Sequence, residues 1–461
     1  MRGVCQRSGL VRVHDRDEVL TERFSKGRYN RPDRIVLQLM RFCPLLPMLC
    51  LSAAGSAMAA VEAPKETVVE FKAAPHDYLA HTPRDRFTGL LPRLNSGEIK
   101  LDTTDDQTFL TSLLKALDVP VSSQILVFSA SSLQSEIINP RNPRALYFNE
   151  DTYVGFVPGG KVEVISMDPT HAATFYIFDR LQRGGPLPLI GRSEKCFNCH
   201  AGNATHRVPG LIAESVLPML SGASLETYRR DEQGHQIPLE KRFGGWHLTG
   251  GHHLTDTHAN LMGATRASGS LEKVPVEPGK MWDISRHLLP TSDILPNLIH
   301  EHQIGFENRV FHAAYVLRQL SAQGRGSPPM SAKPEVERHA DDLARYILFA
   351  DEAKLPRQGI EGDPNFIREF QRNKKPASSG ASLKDFDLKN RIFKYRASYM
   401  LYTESWQKLP KEFKDRVYYK MAEGLRDQNP SPAFAVIPAD EKRAIRSILK
   451  ETLPGLPAWW R

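Results

Sequence analysis

Cysteine is scarce in this chain. Five cysteines occur in 461 residues, and three of them, Cys5, Cys43 and Cys50, fall in a stretch that reads as a removable leader. The two remaining thiols cannot make the disulfide framework of a small secreted scaffold. Long apolar runs are also missing. The most hydrophobic segment, Phe42 to Leu51, is ten residues long and interrupted by Pro44 and Pro47, too short and too broken for a membrane span. There is no internal repeat, no low-complexity tract and no basic stripe, so a nucleic-acid partner is not expected.

The leader has a recognisable grammar. Residues 1–39 are polar, with nine Lys/Arg against five Asp/Glu, and read as an over-called start. Residues 40–59 follow the signal-peptide plan: Arg41 as the basic region, the short apolar core, and Ala57-Met58-Ala59 as the cleavage signal. Cleavage after Ala59 would remove five of the eight net positive charges and leave +3 on the exported, periplasmic chain, with no transmembrane segment. Only Cys196 and Cys199 would remain.

These two thiols stand in "GRSEKCFNCHAGNATHRVPG", Gly191 to Gly210. The spacing is C-x-x-C-H. Two thiols three positions apart, followed at once by an imidazole, are what covalent haem needs: two thioether bonds and a proximal iron ligand, His200. The competing chemistries are less complete. A structural zinc site requires four ligands, and no second cysteine pair exists. A thioredoxin-type dithiol opens a helix after a strand, whereas "RGGPLPLIGRSEK" before Cys196 reads as a loop, and a dithiol has no use for His200. A plain disulfide across two residues is the remaining alternative.

On "CFNCH" the chain resembles the c-type cytochromes. The stretches "NPRALYFNEDTYVGFVPGG", "RFGGWHLTGGHH", "LIHEHQ" and "SLKDFDLKNRIFKYRASYMLYTESW" are similar to a group of large bacterial exported proteins carrying one such motif. The resemblance implies one covalent haem c embedded in a larger body, and brings no activity with it.

The rest of the chain reads as α+β: a β-rich region over 60–180, a haem-binding region over 181–290, and a helical region over 291–461. Ala60 to Asp102 reads as irregular. "TTDDQTFLTSLLKALD" is a helix capped by Thr104 or Asp105, with Phe109, Leu110, Leu113, Leu114 and Leu117 on one face. "QILVFS", "ALYFN", "TYVGFV", "KVEVISM" and "ATFYIF" are short strands, with a hairpin turn at Gly159-Gly160. "VPGLIAESVLPML" reads as a strand or a short helix. A long helix follows a cap at Ser292 or Asp293, a linker spans Ala322 to Pro334, a second helix runs from about Glu335 to Glu352, and two or three more close the chain.

The distal iron ligand decides between electron transfer and chemistry on small molecules. Seven of the 16 histidines lie between His200 and His258. His252 and His258 in the Gly-rich "TGGHHLTDTHANLMG", Met262 in the same segment, and His302 on the long helix are the distal candidates. Met219 is a weaker one, and His206 follows the motif too closely to reach the far side. Arg144 and Arg242 are candidates for pairing with haem propionates, and Trp246 for packing on the macrocycle. The expected function is periplasmic monohaem electron transfer with a redox partner protein. A peroxidase-like oxidoreductase with an open distal site and a haem-based sensor are the alternatives, so whether the protein is an enzyme stays open. The bacterial dihaem peroxidases carry two C-x-x-C-H motifs, and this chain has one.

Overall fold

The computed structural model describes residues 67–179, 190–324, 333–428 and 431–460. The expected leader with its three cysteines, and most of the 322–334 linker, lie outside the described residues. What is described is α+β, a strand-rich region followed by helices.

The first element corrects the reading of 60–102 as irregular. Helix α1, Arg86–Asn95, is capped by the Asp85 side chain, which accepts from the Thr88 N–H, and it buries Phe87, Leu90 and Leu94. Pro92 inside it forfeits one backbone bond and masks the helical pattern. Helix α2, Asp106–Ala116, has Asp105 as its cap and buries the expected leucine face.

Five strands follow where the β-branched and aromatic runs fall: β1 Ile125–Val127, β2 Arg144–Phe148, β3 Thr152–Phe156, β4 Val162–Asp168 and β5 Ala172–Phe178. Gly159, with φ +83°, turns β3 into β4. After them come α3, Phe197–His200, and strands β6 Ser215–Pro218, β7 Ser224–Arg229, β8 Trp246–His247, β9 Leu261–Thr265 and β10 Leu271–Pro275. "VPGLIAESVLPML" therefore forms a strand. One antiparallel sheet has the order β5-β4-β3-β2-β1-β8, and β6–β7 and β9–β10 are separate hairpins.

Strand alternation divides the large sheet into two faces. Leu126, Ala145, Tyr147, Val154, Phe156, Val162, Val164, Tyr176 and Phe178 face α1 and α2 in one hydrophobic cluster. Ile125, Val127, Phe148, Tyr153, Met167, Ala173, Phe175 and Trp246 face the opposite way, into a larger cluster shared with the helical half.

That half begins with α4, Ile294–Gln323, capped by Asp293. Pro296 sits in its first turn, where its missing N–H costs nothing. Every residue from Ile294 to Asn308 is buried. Helix α5, Pro334–Ile347, ends before the expected Glu352, since Phe349 turns left-handed at φ +52°. Among the described residues, four helices close the chain rather than two or three: α6 Pro364–Phe370, α7 Glu404–Gln407, α8 Lys411–Gly424 and α9 Ala439–Thr452. No described helix is long and apolar enough to cross a membrane.

Candidate functional site

The segment carrying Cys196, Cys199 and His200 is docked on the edge strand of the sheet. The Ser193 N–H donates to the Phe175 carbonyl at 2.8 Å, and Arg192 bridges to Tyr176. Arg192 also donates to the carbonyls of Tyr78 and Leu79. Phe197, between the two thiols in sequence, fits among Phe71, Tyr78 and Phe175, with ring centroids 5.1, 5.4 and 5.8 Å away. That wedge fixes the short helix α3. Its neighbour Asn198 is exposed, as is Cys199, while Cys196 is half-buried. Both thiols are free. Burial, followed by smaller electrostatic effects that include Glu163, pushes the Cys196 thiol up.

His200 is held from one side only. Its Nδ1 lies 2.9 Å from the Gly210 carbonyl, and its own carbonyl accepts from the Gly210 N–H at 2.8 Å. Its ring packs on Phe175, centroids 5.0 Å apart. Burial holds the imidazole below its ordinary pKa, with the Gly210 bond opposing. A neutral ring that donates Nδ1–H to a carbonyl presents Nε2 as a lone pair, and Nε2 makes no hydrogen bond among the described residues.

The Gly210 loop is itself clamped from α4. Asn308 accepts from the Leu211 N–H at 2.9 Å and donates to the Leu211 carbonyl at 2.8 Å. A Cβ on Gly210 would come within 2.6 Å of the Asn308 Oδ1, so only glycine fits there.

Beside the motif, the second face of the sheet is incompletely covered. Arg144 and Leu146 on β2, Glu163 and Ile165 on β4, and Ile177 on β5 are half-buried, while their alternate neighbours are buried. Arg144 Nη1 meets Glu163 Oε2 at 2.8 Å across Gly155. The Arg144 Nε is buried and has no hydrogen-bond partner among the described residues. The charges of Arg144 and Glu163 both reach His200.

The distal candidates are widely placed. His252 is exposed against His253. His258 stacks on Tyr228, centroids 3.5 Å apart. Met262, paired with Val274 in the β9–β10 hairpin, is buried in the cluster on the other face of the sheet. His302 is fully buried and uses both ring nitrogens: Nδ1 lies 2.7 Å from Nδ1 of His235, and Nε2 lies 2.9 Å from Ser398 Oγ. Arg242 is buried against the His235 and Ile237 carbonyls and Glu301, which leaves Arg144 as the less buried cation of the two. Trp246 packs on the second sheet face and donates to the Glu214 carbonyl at 2.8 Å. Met219 is partly exposed, and His206 stacks on His312.

Two residues near this face escaped sequence reasoning. Asn308 is one. The other is His300, buried against the rings of Phe148, Tyr153 and Trp246. Burial first, then the charges of Arg144 and Arg229, lower its pKa to about 3 and keep it neutral.

A second cluster, His81, Asp168 and His171, brings ring nitrogens and a carboxylate within 4.8 Å of one another. Asp168 already accepts from the backbone N–H groups of Arg84, Thr170 and His171 and from the Thr170 hydroxyl. Its oxygens are engaged by the chain itself, as in a capping turn. A cavity of about 720 Å³ at the start of α2, lined by Asp105, Gln134, Ile137 and Lys161, contains neither thiol nor histidine.

The chain matches no family model, no curated protein and no solved structure.

Proposed function

We propose that this protein is an exported monohaem c-type cytochrome that binds haem through Cys196 and Cys199, ligates its iron with His200, and transfers electrons to or from a partner protein. One observation carries the reading: two free thiols share a short turn with an imidazole whose Nδ1 is fixed by the Gly210 carbonyl, leaving Nε2 to coordinate.

The residues present fit the group. Each thiol adds across a vinyl double bond, sulfur to one carbon and hydrogen to the other, so nothing leaves. His200 is neutral and oriented, the state an iron ligand requires. The half-buried apolar side chains Leu146, Ile165 and Ile177 offer a floor for a large flat ligand. Arg144, with an unpartnered Nε, adds a cation for a carboxylate on the same face. Haem, when bound, supplies a one-electron ferric–ferrous couple. The exposed edge at Asn198 and Cys199 gives a partner a close approach to that couple without entering the protein.

The test is maturation in a host with export and haem-attachment machinery, followed by denaturation and a pyridine haemochrome spectrum. One haem per chain remaining with the denatured wild type, and none with the Cys196→Ala/Cys199→Ala double variant, is the expected result. Haem that washes out of the wild type, or that survives in the double variant, overturns the reading.

A further inference from the structure

His300 is buried, with 5 % of its surface exposed, yet makes no hydrogen bond among the described residues. Unlike both ring nitrogens of His247, those of His300 are not sealed off, so the ring keeps contact with open space. His302, two positions along the same helix, uses both of its nitrogens. The contrast is not one of burial, since the whole stretch is buried. It lies in what each ring faces, because residues two apart on a helix point in nearly opposite directions. His302 faces α5 and Ser398. His300 faces the second side of the sheet.

The sheet register places His300 relative to His200. Phe148, Tyr153, Ile165 and Phe175 form one row across β2, β3, β4 and β5. His200 packs on Phe175 at one end of the row, and His300 on Phe148 and Tyr153 at the other, at 5.2 and 5.7 Å. Tyr153 and Phe175 are two strand spacings apart, roughly 10 Å. Between them runs β4, whose Glu163 and Ile165 belong to the incompletely covered part of the face. Two imidazoles thus stand at the two ends of this incompletely covered stretch of the face. The charge of Arg144 reaches both of them.

Resting on the haem reading above, we propose that His300 is the second axial ligand of the iron, opposite His200. A ring nitrogen that has no partner among the described residues and is open to the face then takes a coordination bond. This makes a bis-imidazole, low-spin iron with no open site, suited to electron transfer rather than to chemistry on peroxide or oxygen.

The experiment uses full-length protein matured with haem. Covalent haem is quantified separately from ligation, so the two readings fail separately. Wild-type protein is expected to retain one haem after denaturation and to show a reduced low-spin spectrum unchanged by carbon monoxide. His300→Ala is expected to retain the same covalent haem, become high-spin in the ferric state and bind carbon monoxide readily. His252→Ala and His258→Ala are expected to leave the spectrum as it was. Covalent haem in His300→Ala with an unchanged low-spin spectrum overturns His300 as the ligand and leaves the haem reading intact. Absence of covalent haem from the wild type overturns both. Should His300→Ala fail to fold, the near-infrared charge-transfer band of the unaltered ferric protein decides: a bis-imidazole band supports His300, and an imidazole–thioether band overturns it.

Discussion

Arg144 and Glu163 meet at 2.8 Å across the bare backbone of Gly155, two strands apart on the partly open face of the sheet. A Cβ at Gly155 would lie 3.1 Å from Glu163 Oε2 and 3.3 Å from Leu146, so glycine keeps the path between them clear. Burial raises the Glu163 carboxyl, but the Arg144 charge and hydrogen bonds from Ser132 and Gln134 outweigh it and hold the pKa below its ordinary value. The pair therefore stabilises the fold above the unfolded carboxylate pKa and loses that contribution as pH falls below it. Glu163→Ala strands a mostly buried guanidinium and is expected to cost about 3 kcal/mol at pH 7. Urea unfolding at pH 7 and at pH 3 measures it, and the gap between wild type and variant should shrink at the lower pH.

Asn308 acts on His200 through the Gly210–Leu211 backbone. Asn308→Ala leaves the Leu211 N–H and carbonyl buried without partners, an expected loss of about 2 kcal/mol. Gly210→Ala drives a methyl group into the Asn308 amide. Both variants should lower the melting temperature. In haem-loaded protein both should shift the reduction potential too, because the bond to Nδ1 sets the basicity of the proximal ring. A lowered melting temperature with an unmoved potential would restrict Asn308 to a structural role.

Much of this arrangement was legible in the sequence. The five strands from Gln124 to Asp179 fall where short β-branched and aromatic runs are cut by Gly, Pro and Asn, because such runs suit a half-buried pleated surface. The leucine face of α2 is equally plain. The spacing of "CFNCH" is the basis of the haem attachment proposed above. What stayed hidden was orientation. In α4 every residue from Ile294 to Asn308 is buried, so no polar stripe marks which side faces the sheet. "LIHEHQ" offers two histidines, and only packing against Tyr153 and Tyr346 tells His300 from His302. Met262 follows His252 and His258 in the same Gly-rich segment, yet the β9–β10 hairpin carries it to the opposite face of the sheet. Helix α1 was missed because Pro92 breaks the pattern that Phe87, Leu90 and Leu94 would otherwise make.

Asp168 tests how far a single carboxylate organises the turn between β4 and β5. It is buried, and its oxygens accept from three backbone N–H groups, the Thr170 hydroxyl and His81 Nε2. Burial opposes its ionisation, but those donors prevail and hold its pKa at about 2. Its contribution is present above the unfolded value of about 3.9 and is lost as pH falls through about 2. Asp168→Ala orphans several donors at once, for an expected loss of about 3 kcal/mol at pH 7. Asp168→Asn, which keeps one acceptor oxygen, should fall between. Chemical denaturation of the three proteins side by side gives the order, and equal stability of all three would show that water replaces the carboxylate at no cost.

Glu307 runs the other way. It is buried on α4, where Ser405 donates to one carboxyl oxygen at 2.8 Å and the other oxygen has no partner among the described residues. Burial raises its pKa to about 8, the Ser405 bond offsetting only part of the rise. The folded chain therefore holds a proton here that the unfolded chain releases above about pH 4.3. Stability from this group is full below that value and falls as pH rises toward 8, by about 1.4 kcal/mol per pH unit. Glu307→Gln carries the protonated shape at every pH and lacks this dependence. Other buried acids, Glu352 among them with a pKa of about 7, contribute equally to both proteins, so the informative quantity is the difference between them. Unfolding free energies at pH 5, 6 and 7 should show the glutamine variant gaining on wild type by about one proton's worth per unit. Parallel curves would mean that Glu307 is ionised inside the fold and that a cation or water reaches it.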